Sequence, residues 1–341
     1  MAPVELDTIP IPELFRVPSA AINPAHVVQN RAIYAPPNRK IEDIKLRSNL
    51  GPIDSADLGW LQPVYANSTS LEEMRERFVE QGYLWVKGLI LREEILDFRR
   101  KYFEFMAPTG VVKEGTDPVD GIYCGADPEQ YLPPGNGREC QNTEKAEQFI
   151  QRSIEAHRSK WIEEISSHPQ HCLLKRQMLR ANVPGAETTD VHYDHIFLRY
   201  GPPTFLTGWL PFGDIAVEGG GLTYLENALP IAQAIENDFT KRAEKFTIEE
   251  RLSAFNTNIA RGGALSHDSQ GFSRAHGNQK WLIVDYEAGD VVFHHPYSIH
   301  GSCVNESPTG TIRLATDLRF VNPEAPYDTR WTDYWSPNDG L

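Results

Sequence analysis

Two short, widely separated segments carry the residues best suited to chemistry. The first is Val191-His192-Tyr193-Asp194-His195, and the second is His300-Gly301-Ser302, followed by Arg313. Together His192, Asp194 and His300 supply two imidazoles and one carboxylate. A set of that kind, with positions left open on the ion, suits non-haem Fe(II) working with dioxygen. The same ligands also suit a zinc-bound water in a hydrolase, or a metal held in a non-catalytic barrel.

Strand geometry separates the candidates. Residues i and i+2 of a strand point to one side, so a strand over His192–Arg199 places His192 and Asp194 together and turns Tyr193 and His195 away. His195 then reads as a hydrogen-bonded packing residue. In the second segment, Asn305-Glu306-Ser307-Pro308-Thr309-Gly310 is a strong turn signal. It predicts an antiparallel hairpin between Ser298–Val304 and Thr311–Phe320, with Ser302 opposite Arg313 and His300 opposite Ala315. In that register Arg313 shares the face of His300, displaced by roughly 7 Å along the strand. The span suits a five-carbon diacid, one end chelating the metal and the other on the guanidinium fork, with Ser302 as a second donor. Ile312, Leu314, Thr316 and Leu318 form the opposite face, a stripe for outer helices. Arg319 has the parity of Arg313 but lies roughly 13 Å beyond Ala315, and is expected to pair with Asp317. His294 has the parity of His300. The Gly-Ser after His300 favours His300 as the ligand.

The elements that must hold these residues follow from pattern. Ser70-Leu71-Glu72-Glu73 has the form of a capping box, with Leu71, Met74 and Phe78 at helical spacing. Gln81-Gly82 ends that helix, and Tyr83–Val86 reads as a strand. Leu91 to Met106 reads as an amphipathic helix, and a further helix is expected around Lys145–Ile165. Residues 107–148 look like a long loop region able to cover a site. Short apolar runs follow at Leu173–Asn182, His192–Arg199, Leu206–Pro211, Leu222–Leu225, Trp281–Asp285, Val291–His295, Ser298–Val304 and Thr311–Phe320. Strands after a helical front suggest a β-sandwich or barrel with helices outside. Residues 1–66 read as an irregular arm over the body, residues 67–341 as one domain, and Ile231–Phe255 as a charged helical insertion.

Composition bounds the partners. The chain has 341 residues and a formal net charge of −14, which disfavours nucleic-acid and anionic-membrane binding. No stretch has the length of a membrane span and the N-terminus shows no secretory signal. Cys124, Cys140, Cys172 and Cys303 show no paired spacing, as expected of reduced thiols in a cytoplasmic protein. Nothing in the sequence specifies an oligomeric state.

The chain resembles the phytanoyl-CoA dioxygenase family of Fe(II)- and 2-oxoglutarate-dependent oxygenases. Four stretches carry the resemblance. They are Phe78 to Leu89, His192-Tyr193-Asp194, Gly208-Trp209-Leu210 with Glu218 to Leu222, and Gly289 to Ser302. The likeness runs from about residue 71 to 322. It implies an α+β, mainly β chain with a double-stranded β-helix (a cupin-like jelly roll) of two facing sheets and outer helices. It implies Fe(II) held by His192, Asp194 and His300, and 2-oxoglutarate anchored by Arg313 with help from Ser302. Trp209 either walls the co-substrate pocket or packs the core. The implied reaction uses dioxygen, converts 2-oxoglutarate to succinate and carbon dioxide, and hydroxylates, desaturates or cyclises a substrate. Asp194 at the carboxylate position argues against halogenation. Three adjacent glycines, Gly219 to Gly221, depart from the family's usual turn.

For the substrate, a small metabolite such as an amino acid or natural-product intermediate is favoured over an acyl-CoA. The phosphates of coenzyme A need a basic surface, and no Lys/Arg cluster flanks the site segments. Candidate substrate contacts are Arg180, Arg199, Tyr193 and an aromatic tail of Trp331, Tyr334 and Trp335, each with a structural role as the stronger reading.

Overall fold

The computed structural model describes residues 39–131, 144–157, 172–253, 259 and 263–334. Two sheets form its centre. The larger has the order β4 (Pro63–Tyr65), β5 (Tyr83–Lys87), β11 (Val291–His294), β8 (Leu206–Pro211), β13 (Arg313–Val321) and β6 (Cys172–Leu173), with β7 (Arg180–Asn182) also on β13. The smaller has the order β12 (His300–Ser302), β9 (Leu222–Leu225), β10 (Trp281–Ile283) and β3 (Leu58–Trp60). A separate ribbon joins β1 (Leu46–Arg47) to β2 (Pro52–Ile53). This is the expected two-sheet jelly roll, and the sheets do not close into a barrel.

Alternation along the strands sorts three apolar layers. Leu222, Tyr224 and Leu282 from the smaller sheet meet Trp85, Trp209, Val292 and Ala315 from the larger, forming the layer between the sheets. Leu314, Ile312 and Phe320 face the other way and pack with Ile95, Phe98, Tyr102 and Phe103. The latter four lie on α2 (Arg92–Met106), so the apolar stripe predicted on β13 does meet an outer helix. Outside the smaller sheet, Trp281 and Ile283 pack with Ala228 and Ala232 of α4 (Ala228–Ala243) and Phe272 of α6 (Ser269–Ala275).

Local signals account for the helical front. The Ser70 hydroxyl accepts from the Glu73 amide at 3.1 Å and caps α1 (Leu71–Gln81), a contribution of about 1 kcal/mol. Gly82 ends that helix at φ +75, where a residue without Cβ is favoured. Helix α3 (Glu144–His157) follows near the expected place; residues 158–171 lie outside the described set. Within the described part of the stretch expected to be a helical insertion, α4 is followed by the short α5 (Ile248–Leu252).

Several expectations need correction. Residues 39–65 are not all an irregular arm, because β3 pairs in parallel with β10 and β4 with β5. Part of the 107–148 loop region is described and packs into the core. Its Val111, Tyr123 and Tyr131 join the layer under α2. Buried Arg99 of α2 donates to the carbonyls of Val119, Asp120, Phe212 and Ile312, tying that loop to the larger sheet. The run Leu173–Asn182 is two separate strands, and His192–Arg199 is not a strand but a bridge followed by a 3-10 turn at Asp194–Ile196.

The predicted hairpin is absent. β12 pairs with β9 in the smaller sheet, whereas β13 lies inside the larger sheet between β8 and the pair β6 and β7. Both sides of β13 are taken, so no edge remains for β12. The turn itself is formed, with the Gly310 amide donating to the Ser307 carbonyl. It carries the chain from one sheet to the other. Among the described residues, no helix is long and apolar enough to cross a membrane.

Candidate metal centre

His192 and His300 come together through the backbone. Each amide donates to the other's carbonyl, at 2.9 and 2.8 Å. Residues directly opposite in an antiparallel pair send their side chains to one side, and the two rings lie 4.3 Å apart. Asp194 enters from the 3-10 turn rather than by strand alternation. Its Oδ1 lies 3.8 Å from His192 Nε2 and 3.9 Å from His300 Nε2. All three side chains are buried, and their ligand atoms lie within 4.8 Å of one another.

The donors are prepared for a cation. His192 Nδ1 contacts the Asp190 carbonyl at 2.7 Å, and His300 Nδ1 the Ser298 carbonyl at 2.9 Å. A carbonyl only accepts, so both Nδ1 atoms carry the proton and both Nε2 lone pairs are free for a metal. Burial pushes the pKa of His192 down. Burial, followed by the neighbouring His192 and His294, pushes that of His300 well down. Both shifts favour the neutral ring that metal binding needs. Burial alone would raise the pKa of Asp194, but Arg319, the His294 hydrogen bond and the neighbouring imidazoles hold it well below the usual carboxylate range. Two imidazole nitrogens and one carboxylate around a buried centre fit a divalent ion such as Fe(II) or Zn(II).

The remaining predicted residues fall as follows. Arg313 is buried with the parity of Ala315, which belongs to the inter-sheet layer. Its Nε has no hydrogen-bond partner among the described residues, and neither does the buried Ser302 Oγ. Burial and the nearby Arg180 charge push the pKa of Arg313 down to about 10. A buried guanidinium and hydroxyl with unused donors fit the carboxylate of a diacid. Trp209 is buried between the sheets, its ring 4.7 Å from that of Tyr286.

Arg319 does not follow its expected pairing. Its Nη2 lies 3.3 Å from Asp194 Oδ2 rather than on Asp317. His294 also reaches Asp194 Oδ2, Nε2 at 3.3 Å. His195 packs against Phe205 and Tyr297, as expected of a residue turned from the site, but its Nδ1 makes no hydrogen bond among the described residues. Tyr193 and Arg199 both bind Glu236 of α4, so they clamp α4 to the segment that carries His192 and Asp194. Arg180 donates to Thr189 Oγ1 at 3.2 Å. The Trp331 ring lies 5.1 Å from the Arg176 guanidinium and 4.6 Å from that of Arg319, and Tyr334 lies under Lys175. Trp335 lies outside the described residues.

Sequence reasoning missed Thr207, whose hydroxyl donates to Asp194 Oδ2 at 2.5 Å. A lone threonine in an apolar strand carries no signal of that role. Arg319 did carry one, since its parity with Arg313 already placed it on the inner face.

A protein-family profile described as phytanoyl-CoA dioxygenase (PhyH) matches residues 78–315. No curated protein matches the chain in sequence. Among solved structures, the non-heme alpha ketoglutarate dependent carbocyclase SnoK from nogalamycin biosynthesis is 18% identical. The alignment covers 78% of this chain and 90% of SnoK, with a TM-score of 0.42. The epimerase SnoN in complex with Fe3+, alpha ketoglutarate and nogalamycin RO is 18% identical, covering 75% of this chain and 85% of SnoN at a TM-score of 0.41. HygX from Streptomyces hygroscopicus, with nickel and 2-oxoglutarate bound, is 14% identical, covering 74% and 88% at a TM-score of 0.38.

Proposed function

Because the chain belongs to the phytanoyl-CoA dioxygenase family, we propose that it is a non-haem Fe(II)- and 2-oxoglutarate-dependent dioxygenase acting on a C–H bond of a small metabolite. The observation that carries this reading is a pairing of two features. One is a buried cluster of His192, Asp194 and His300 with both imidazole Nε2 atoms unprotonated. The other is the pair of unused donors on Arg313 and Ser302. A zinc hydrolase needs the first feature but gives no reason for the second.

In this reading His192, Asp194 and His300 hold the iron, and bound iron with 2-oxoglutarate supplies the activation of dioxygen. Arg313 and Ser302 bind the far carboxylate of 2-oxoglutarate and so fix its orientation in the cleft. Trp209 borders that space, and the apolar inter-sheet layer of Trp85, Tyr224 and Val292 keeps bulk water out. The substrate is an amino acid or a natural-product intermediate, since a chain of net charge −14 favours a substrate without the phosphates of coenzyme A.

A screen for succinate release with Fe(II), oxygen and 2-oxoglutarate tests the proposal, run across amino acids, natural-product intermediates and acyl-CoAs. Release stimulated by a small metabolite supports it. Stimulation only by acyl-CoAs overturns the substrate class. Release that does not depend on Fe(II) overturns the whole reading.

A further inference from the structure

Three residues from three adjacent strands form a row across the larger sheet. His294 of β11 lies opposite Thr207 of β8, and Thr207 lies opposite Arg319 of β13. Directly opposed residues share a face and stand within side-chain reach. All three aim a donor at one atom, Asp194 Oδ2, at 3.3 Å from His294 Nε2, 2.5 Å from Thr207 Oγ1 and 3.3 Å from Arg319 Nη2. Asp194 Oδ1 is left facing the Nε2 atoms of His192 and His300.

We propose that the row of His294, Thr207 and Arg319, with Tyr224 behind it, is a positioning device that reserves Asp194 Oδ1 for the metal and prevents Oδ2 from becoming a second ligand. The inference rests on reading His192, Asp194 and His300 as the metal centre. A carboxylate oxygen has two lone pairs in its plane, and three donors on Oδ2 use them fully. Bidentate coordination would break these hydrogen bonds among buried side chains, which is costly. A one-oxygen ligand leaves the ion an additional position for co-substrate or dioxygen.

Tyr224 stands behind His294. Its hydroxyl lies 3.1 Å from His294 Nδ1. The ionised carboxylate only accepts, so His294 Nε2 carries a proton. His294 is thus a positioning residue rather than a fourth ligand. The same row is kept in place on its far side by Trp331, whose ring lies 4.6 Å from the Arg319 guanidinium.

The test is Co(II) titration of the full-length apoprotein, reading affinity calorimetrically and coordination from the visible spectrum. Thr207→Val and His294→Leu each remove one donor and are expected to weaken Co(II) binding by about ten- to a hundredfold with an altered spectrum. His294→Gln retains an N–H donor and is expected to recover most of the loss. Thr207→Val carries the test if His294→Leu does not fold. Gln performing no better than Leu while Thr207→Val is silent would make His294 a ligand and overturn the proposal. Lower unfolding midpoints with unchanged Co(II) affinity and spectrum would reduce the row to a structural element, which also overturns it. If the unaltered protein binds no Co(II), or binds it unchanged after His192→Ala, the metal centre itself is wrong, an outcome distinguishable from the other two.

Discussion

His300 and Arg313 stand in opposite sheets, His300 paired with Tyr224 in the smaller sheet and Arg313 with Asn182 in the larger. They therefore face the layer between the sheets from opposite sides rather than lining one hairpin. A ligand spanning both residues bridges the sandwich and is enclosed by it.

Arg313→Leu is expected to raise the KM for 2-oxoglutarate by about thirtyfold or more, since hydrogen bonds to charged groups contribute about 1.5–3 kcal/mol or more when desolvated. Arg313→Lys recovers only part, because an ammonium cannot form the bidentate fork. Removing a buried guanidinium should leave the apoprotein at least as stable. Steady-state kinetics together with urea unfolding check both halves. An unchanged KM in Arg313→Leu contradicts the anchoring role.

Local chemistry made much of this site legible. His192, Asp194 and His300 carry a metal-ligand signature, and the Leu206–Pro211 and Leu222–Leu225 strands end where their turn residues begin. Pairing partners were not legible. Asn305 to Gly310 does turn, but a turn signal says nothing of which sheet receives the returning strand. The vacancy beside β9 and the filled sides of β13 decided that, and both are long-range facts. That His294, Thr207 and Arg319 converge on Asp194 Oδ2 was hidden for the same reason, since they come from three strands far apart in the chain. β3 and β4 are three residues each, too short for a periodic signal, and owe their conformation to their neighbours.

Glu236 should be the insertion's most sensitive position. Its carboxylate is buried and binds the Tyr193 hydroxyl at 2.5 Å and Arg199 Nη1 at 3.0 Å. Glu236→Ala leaves the Arg199 charge buried without its partner and is expected to cost about 3–5 kcal/mol. Urea denaturation measures it. A loss below 1 kcal/mol would show that the clamp does not hold α4 to the metal segment.

Acid should destabilise the apoprotein through histidines that are not ligands. Burial pushes the pKa of His295 down to about 3, and burial, followed by Arg199 and His295, pushes that of His195 well below its usual value. Unfolded histidine titrates near about 6.5. Between those limits the unfolded chain binds protons that the folded chain refuses, so stability is full above pH ~6.5 and falls as pH drops. Each group contributes a slope of about 1.4 kcal/mol per pH unit. His295→Asn, measured against the unaltered protein in chelator from pH 6 to 4, should flatten the profile by one such slope. Parallel profiles would contradict the assignment.

The most direct measurement is carbon dioxide release from C1 of 2-oxoglutarate, compared between the unaltered protein and His192→Ala, with and without Fe(II) and oxygen. Release by the unaltered protein only when both are present, and its loss in His192→Ala, is the predicted result. Equal release by His192→Ala, or release by the unaltered protein without oxygen, would contradict the account.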